Sequence, residues 1–311
     1  MTQHRGPNLA TSIRQRLLNE ARETDRPFNE VLQYFAMERF LYRLSKSDHA
    51  DKFVLKGALM FTVWQAPVMR PTLDIDLLGI TDNDVEAIVA VMRDICRQDV
   101  ETDGLAFDVA GVEGERIVED ADYAGVRVRF RGTLGTARIT MQLDIGFGDV
   151  VVPKPEAADY PTILDLPAPR LRGYSRESAV AEKFEAMVKL GVVNSRVKDF
   201  FDIWLLSRRF DFDGRTMAQA LTETFVTRDT TIPAEPVALT GDFGNDAGRQ
   251  DQWRGFIRRS RLQNVPSSFA EIVEAVAVFL GPVTKALAAG ERFQGSWKAP
   301  GPWRGHYAGN T

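Results

Sequence analysis

Polar and apolar residues alternate strictly between residues 72 and 77, and this alternation predicts a β-strand. The polar positions are Thr72, Asp74 and Asp76. Since successive side chains of a strand point to opposite faces, the two aspartates are predicted to share one face. The pattern therefore brings together two negative charges, which repel each other unless a positive charge lies between them.

A second alternating segment, residues 137–145, is predicted to pair with residues 126–131 as a hairpin across the turn at 132–135. Its apolar residues share one face, and its polar face ends at Asp144. If the hairpin lies beside the first strand, Asp144 joins the two aspartates of that strand. The alternation thus predicts a cluster of three carboxylates on neighbouring strands.

Apolar residues recur at helical spacing in the regions that flank these strands. The predicted helices cover residues 9–46 (as two helices), 59–65, 84–97, 176–190, 197–209 and 268–280. Ser175 and Gly191 are the predicted cap and stop of one helix, and Gly281-Pro282 is predicted to end the last. Residues 228–250 are predicted to form a long loop.

Five prolines between residues 153 and 169 interrupt every regular pattern and indicate a domain boundary. We therefore predict an N-terminal helical segment (1–48), a core that contains the strands (49–152), a proline-rich linker (153–174), a helical C-terminal lobe (175–290) and a flexible tail (291–311). The tail prediction rests on its glycines, prolines and scattered tryptophans.

Composition narrows the class of protein. The chain has 311 residues, of which 44% are hydrophobic and 26% charged, as is typical of a soluble globular protein with more than one domain. A net charge of −4 argues against wholesale polyanion binding but allows a local basic patch. The single cysteine, Cys96, suits a reducing compartment, and His4, His49 and His306 form no metal-ligand spacing. Without a long apolar run or a signal-peptide pattern, we expect a cytoplasmic protein and no membrane partner.

The three carboxylates suit a metal site. Mg²⁺ prefers oxygen ligands and is typically held by one or two carboxylates together with substrate phosphates. Three carboxylates on neighbouring strands suit two-metal phosphoryl or nucleotidyl transfer. Each motif also has a simpler interpretation. An isolated D-x-D is a solvent-facing pair on an edge strand, and Asp144 alone is a polar residue at a strand end.

The turn Lys56-Gly57-Ala58 lies between a predicted short strand at 53–55 and the predicted helix at 59–65. A glycine at such a junction lets backbone N–H groups approach a phosphate, although glycine is common at strand–helix turns in general.

The order of these motifs resembles that of the DNA polymerase β-like nucleotidyltransferase superfamily. Gly57-Ala58 stands where that superfamily has a G-[GS] turn, Arg70-x-Thr72-x-Asp74-x-Asp76 contains its D-x-[DE], and Asp144 is the third carboxylate on a later strand. Within the superfamily the chain is similar to the AbiEii/AbiGii toxin family. The similarity continues through residues 181–187 and 194–202 and covers roughly residues 15–210.

The family comprises the toxin halves of toxin–antitoxin or phage-defence pairs. Some members transfer a nucleotide from an NTP to RNA, with the tRNA 3′ acceptor end as the known target. The resemblance therefore implies an NTP substrate, Mg²⁺ (or Mn²⁺), an RNA acceptor such as tRNA, and a cognate antitoxin. It implies an α+β fold in which an α/β polymerase β-like core follows N-terminal helices and precedes a helical C-terminal lobe.

The resemblance also implies roles for individual residues. Asp74, Asp76 and Asp144 would be the metal-binding and catalytic carboxylates, and Lys183, Asp199 and Asp202 would complete the catalytic set. The implied nucleotide-binding residues are Lys56, Gly57, Ala58, Arg70, Thr72, Lys183 and Lys198. One departure concerns Ala58, since the superfamily often has serine there and the hydroxyl contact to phosphate is missing.

The residues of the helical half allow other interpretations. Lys183 lies beside an apolar stripe, so its ammonium can reach a phosphate or extend from the surface into water. Asp199 and Asp202 lie on a face that turns apolar and are predicted to need a partner such as Lys183 or Arg196. Asp199 is also well placed in the first turns of a helix. Arg70, outside this half, contacts phosphate or neutralises the aspartates.

Arginines cluster with Trp253 at positions 254, 258, 259 and 261. Arginine with an aromatic residue suits phosphate contact and base stacking, so Arg254, Arg258 and Arg259 are predicted to bind RNA. The alternative is a solvated helix face.

Together with the resemblance, these patterns predict a metal-dependent nucleotidyltransferase in which an RNA or protein hydroxyl attacks the α-phosphate of an NTP. The resemblance implies that Asp144 is the base or a metal ligand near the attacking hydroxyl, with Asp199 or Asp202 as alternative bases. Two other functions remain open: a nucleotide-binding regulatory protein that transfers nothing, and a metal-dependent nuclease that uses the same carboxylates.

Overall fold

The structure is a computed structural model that describes residues 6–66, 70–119 and 123–305. His4, His306, the first five residues of the predicted N-terminal segment and the last six of the predicted tail lie outside the described residues. The chain divides into two compact units, one made of residues 1–148 and 156–173 and the other of residues 149–155 and 174–311.

The first unit combines helices with a mixed sheet. Its helices are α1 (Gly6–Glu23), α2 (Phe28–Lys46), α3 (Met60–Val63) and α4 (Val85–Arg97). Its strands are β1 (Phe53–Lys56), β2 (Ile75–Gly79), β3 (Leu105–Phe107), β4 (Glu113–Glu119), β5 (Tyr123–Leu134), β6 (Ala137–Phe147), β7 (Glu156–Asp159) and β8 (Arg170–Gly173).

The strands follow the order β3-β5-β6-β2-β1-β8-β7, and β4 also pairs with β5. β2 runs parallel to β6, and β1 runs parallel to β8. The other pairs are antiparallel. The predicted hairpin is confirmed as β5 and β6, and it lies beside the D-x-D strand, which is the condition for the predicted carboxylate cluster. In this register Asp76 lies directly opposite Asp144.

One face of the sheet forms the core of the first unit. The apolar residues Ile139, Met141, Leu143 and Ile145 of β6 are buried on that face, as their alternation predicts. Phe40 of α2 packs there with its ring centroid 5.4 Å from that of Phe130. Because a fully buried aromatic side chain contributes roughly 2–3 kcal/mol, this packing fixes the sheet against the helix. The opposite face holds the polar residues of β5 and β6.

Helix α2 is buried along most of its length, so its buried charged side chains need hydrogen-bond or ion-pair partners. Arg43 donates to both carboxylate oxygens of Asp103, at 2.7 and 3.0 Å. Glu38 accepts a hydrogen bond of 2.7 Å from the backbone N–H of Ile163, and burial raises its pKa to about 7. These contacts connect α2 with the segment before β3 and with the one before β8.

The segment predicted as a proline-rich linker contributes two strands to the sheet, so the linker prediction is wrong for residues 156–159 and 170–173. β7 and β8 pair with each other, and β8 pairs with β1. The prolines flank these strands rather than interrupt them, which is where a sheet tolerates proline.

The second unit is mainly helical. Its elements are α5 (Arg176–Leu190), α6 (Val197–Arg209), β9 (Phe212–Asp213), α7 (Gly214–Thr227), α8 (Gly241–Asn245), α9 (Ala247–Ser260), α10 (Phe269–Ala288), β10 (Ser296–Trp297) and β11 (Trp303–Arg304). Helix α10 is the centre of this unit because it packs against α6, α7, α8 and α9. Ser175 caps α5 by accepting from the N–H of Ser178, and Gly191 ends it with φ +50°, as predicted.

Three predictions for this unit are wrong. Residues 228–250 contain α8 and the start of α9, anchored by the buried Phe243. Helix α10 continues through Pro282 to Ala288, since Val283 and Ala286 beyond the proline are buried. Up to residue 305 the tail is ordered, because β10 and β11 join β9 in a small sheet that buries Trp297.

Within the described residues, we find no helix with the length and apolar character needed to cross a bilayer.

Candidate active site

Three carboxylates of the first unit converge at one point of the sheet. Asp74, Asp76 and Asp144 each offer an oxygen atom, and the three oxygens lie within 4.8 Å of one another. Asp144 is buried, whereas Asp74 and Asp76 are half-buried. The predicted carboxylate cluster is therefore present, with one side open to solvent.

The strand register positions two of these carboxylates. Asp76 of β2 and Asp144 of β6 are directly opposite partners in a parallel pair. Asp74 precedes β2 and is oriented by Thr72, whose hydroxyl donates to its carboxylate at 2.5 Å. Thr72 is itself held by its backbone N–H, which donates to the Tyr34 hydroxyl at 3.1 Å. The geometry of the cluster is thus set by the backbone and by a buried threonine.

The turn at Gly57 lies against the same cluster. Lys56 is the cross-strand partner of Asp76 in the antiparallel β1–β2 pair. Gly57 has φ +70°, and a Cβ atom at this position would lie 1.8 Å from Oδ2 of Asp76. Only glycine fits here, both because of its backbone angle and because of the carboxylate beside it. The turn predicted to approach phosphate and the D-x-D motif are therefore adjacent.

Arg127 of β5 is a member of the site that the sequence analysis missed. Its guanidinium donates from Nε and from one terminal nitrogen to the two oxygens of Asp144, each at 2.7 Å. This bidentate pair raises the pKa of Arg127. The alternation alone did not identify Arg127, because its position directly opposite Asp144 follows from the β5–β6 register. Alternation predicts the hairpin but leaves its register open.

The donor set fits a hard divalent cation. All three groups are carboxylates, and oxygen ligands of this kind suit Mg²⁺ or Mn²⁺ rather than a metal that prefers nitrogen or sulfur. Asp144 already accepts two hydrogen bonds from Arg127, so part of the negative charge of the cluster is neutralised by the protein itself.

A second charged cluster lies in the second unit. Lys183 of α5 donates to Asp199 at 3.2 Å and forms an ion pair with Asp202 at 3.0 Å, both of α6. Asp199 and Asp202 are 5% and 1% exposed. The predicted need of these carboxylates for a partner is met by Lys183, which joins the two helices.

The remaining predicted site residues differ in how deeply they are buried. Lys56 is buried, and Ala58 and Arg70 are half-buried in the first unit. Lys198 is exposed beside the buried Asp199.

The predicted arginine patch lies on α9, where Arg254, Arg258 and Arg259 are exposed. Arg254 pairs with Asp251 one turn away. Trp253 is fully buried, and its indole N–H donates to the Pro266 carbonyl at 3.0 Å. The predicted stacking of a base on Trp253 is therefore wrong, because the ring packs in the core of this unit.

Comparison with known proteins gives one family match. Residues 39–275 match the family model described as nucleotidyl transferase AbiEii toxin, type IV toxin–antitoxin system. No curated protein matches the sequence. Two solved structures from Helicobacter pylori, a proposed nucleotidyltransferase and the protein JHP933, are each 13% identical to the chain with a TM-score of 0.39. They cover 81% of this chain, which in turn covers 92% and 89% of theirs.

Proposed function

We propose, from the premise that this chain belongs to the AbiEii family of nucleotidyltransferase toxins of type IV toxin–antitoxin systems, that it transfers a nucleoside monophosphate from an NTP to the 3′ end of an RNA, tRNA in particular. The main support is the convergence of Asp74, Asp76 and Asp144 beside the glycine turn at Gly57. An acidic cluster next to a glycine turn suits the binding of a metal-complexed triphosphate.

In the proposed reaction, the hydroxyl oxygen of the RNA end attacks the α-phosphorus of the NTP. The bond between that phosphorus and the oxygen that bridges to the β-phosphate breaks, and pyrophosphate leaves with the bonding electrons. The hydroxyl proton passes to a carboxylate, for which Asp144 is our first choice. Asp199 and Asp202 of the second unit are the alternative bases.

The residues of the cluster have distinct proposed tasks. Asp74 and Asp76 would hold the cation, with Asp144 as the third ligand. A bound divalent cation would stabilise negative charge on the attacking and leaving oxygens. Gly57 leaves room for the Asp76 carboxylate, and Thr72 keeps Asp74 in place. The backbone N–H groups of the turn at Gly57 would donate to phosphate. Lys56, Ala58 and Arg70 flank this region as proposed nucleotide-binding residues.

The second unit would contribute Lys183, Asp199 and Asp202 to catalysis, and Lys198 to nucleotide binding, as their motifs suggest. Its exposed arginines on α9 are proposed to contact RNA. The family further suggests a cognate antitoxin as a protein partner and a cytoplasmic site of action, where NTPs and tRNA occur.

The reaction is tested with radiolabelled NTPs, total RNA and Mg²⁺. Wild-type protein is expected to label RNA, and Asp76→Asn is expected to reduce the labelling by at least about 100-fold, because one carboxylate of the cation site becomes neutral. Asp82→Asn, an exposed aspartate of the loop before α4, is the matched control and should label RNA like the wild type.

Full labelling by Asp76→Asn would contradict the assignment of the site. Label on protein instead of RNA would change the acceptor to a protein hydroxyl, and shortened RNA would indicate a nuclease.

A nucleotide-binding protein that transfers nothing is the second candidate function. Ala58 favours it, because the hydroxyl common at this turn in the superfamily is missing. No label with any of the four NTPs, together with measurable NTP binding, would support this candidate over the transferase.

A further inference from the structure

The exposed face of the first unit's sheet holds a line of arginines that starts at the carboxylate cluster. Arg127, Arg129 and Arg131 alternate along β5 and point away from the core, while the residues between them, Val128 and Phe130, are buried. Arg138 of β6 lies on the same face. We call these four arginines the arginine row.

The strand register fixes the direction of the row. Arg127 lies opposite Asp144, Arg129 opposite Gln142, and Arg131 opposite Thr140, so the row leads away from the carboxylates one cross-strand pair at a time. Arg138, opposite Thr133, is at the far end. Arg138 lies six positions before Asp144 on β6, and at ~3.3 Å per residue the row is about 20 Å long.

The charges of the row are balanced only near the carboxylates. Arg127 pairs with Asp144, and Arg129 pairs with Glu115 at 2.6 Å. Arg131 and Arg138 are exposed, and within residues 6–66, 70–119 and 123–305 neither side chain has an ion pair. In a chain whose net charge is −4, two unpaired arginines at the end of such a line form a local positive surface.

We propose that the arginine row binds the phosphates of the acceptor RNA strand, with the reactive end of that strand at the carboxylate cluster. The inference rests on the proposed function and adds the surface that holds the acceptor. Arginine suits phosphate because its planar guanidinium donates two parallel hydrogen bonds. Contacts of this kind position a nucleic acid without reading its sequence.

The length of the row favours RNA over the triphosphate of the NTP. A stacked strand rises about 3.4 Å per nucleotide, so about 20 Å accommodates several consecutive phosphates. Three phosphates of one NTP at the cluster would reach Arg127 and leave Arg131 and Arg138 unused. Substitution of the exposed arginines far from the carboxylates therefore distinguishes RNA binding from NTP binding.

The test compares two double charge reversals in the full-length protein. Arg131→Glu with Arg138→Glu changes the row, and Arg16→Glu with Arg22→Glu changes two exposed arginines of α1 by the same total charge. Binding of unlabelled tRNA and of a single-stranded RNA is measured by filter binding at several salt concentrations in EDTA, which separates binding from transfer. Binding of an NTP with Mn²⁺ is measured in parallel.

We expect the row variant to lose at least about 10-fold in RNA affinity and to have a log–log salt slope that is less steep by about 1.4, since each lost phosphate contact removes about 0.7 for a single strand. The α1 variant should bind RNA like the wild type, and both variants should bind the NTP normally. Arg131→Gln with Arg138→Gln should fall between the wild type and the row variant.

An equal loss of RNA affinity in the row variant and the α1 variant would overturn the proposal, because the loss would then result from the change in net charge. RNA binding that is unchanged in the row variant, or absent in the wild type, would overturn it too, as would a loss of NTP binding alone. The proposed function fails differently: in that case the wild type transfers no label to any acceptor, whatever the row variant does to RNA binding.

Discussion

Gly57 connects backbone geometry to the chemistry of the site at the scale of a single residue. Its φ of +70° is disfavoured for any residue with a side chain, and its missing Cβ leaves the space that Oδ2 of Asp76 occupies. A substitution here therefore has two separable effects, one on the backbone and one on the carboxylate.

Gly57→Ala is expected to destabilise the protein by about 1 kcal/mol through its backbone angle and to displace the Asp76 carboxylate. We expect a loss of Mn²⁺ affinity and of nucleotide transfer of at least about 10-fold, because the cation site depends on that carboxylate. Gly290→Ala is the matched control, since Gly290 has φ +73° and its Cβ would meet nothing within 4 Å. If both variants lose stability but neither loses Mn²⁺ affinity, Gly57 serves the fold alone.

Two site residues show what could be predicted at this scale. Alternation fixed the polar face for both Asp76 and Asp144, and the observed pairing of β2 with β6 then brings the two side by side. Arg127 could not be placed from the sequence, since its contact depends on a one-residue choice of hairpin register. Thr72 was predicted as a nucleotide-binding residue, and its structural task of orienting Asp74 follows only from the loop before β2.

At the scale of elements, α5 and α6 are joined by a buried charge cluster. Lys183 approaches Asp199 and Asp202 within 3.2 and 3.0 Å, and both carboxylates are almost fully buried. A buried carboxylate that loses its cation costs several kcal/mol, so this cluster serves the stability of the second unit as well as any catalytic task.

Lys183→Met is therefore expected to lower the free energy of unfolding by about 3–5 kcal/mol, measured by urea denaturation. Adding Asp202→Asn should recover part of this loss, because one buried negative charge is removed. A double variant that is stable yet inactive would assign the Lys183–Asp202 pair a task beyond stability. A Lys183→Met variant that is as stable as the wild type would contradict the stabilising role of Lys183.

The elements that were predicted correctly are those with a long regular pattern. The hairpin of β5 and β6 has complete alternation, and α4 has a clear apolar face and the N-cap Asp84. β7 and β8 were missed because each has only four residues, too few for an alternating pattern to be recognised, and β8 joins the sheet through β1, which is distant in sequence. The continuation of α10 past Pro282 depends on burial of the residues beyond it, which a local rule cannot include.

At the scale of the whole molecule, the two units have separate hydrophobic cores. Phe40 in the first unit packs against Phe107 and Phe130, and Phe225 in the second packs against Phe184. Units with their own cores are expected to unfold as separate cooperative transitions. The distribution of tryptophan allows this to be measured, since Trp64 belongs to the first unit and the other four to the second.

In a Trp64→Phe background, tryptophan fluorescence reports unfolding of the second unit, whereas far-UV circular dichroism reports both. Phe40→Ala removes a fully buried ring and is expected to cost about 3–5 kcal/mol in the first unit. It should shift a transition seen by circular dichroism and leave the fluorescence transition in place.

Phe225→Ala, which removes an equally buried ring of the second unit, should shift the fluorescence transition by a similar free energy. If Phe40→Ala moves both transitions together, the two units unfold as one, and substitutions in either unit would then affect stability measured in the other.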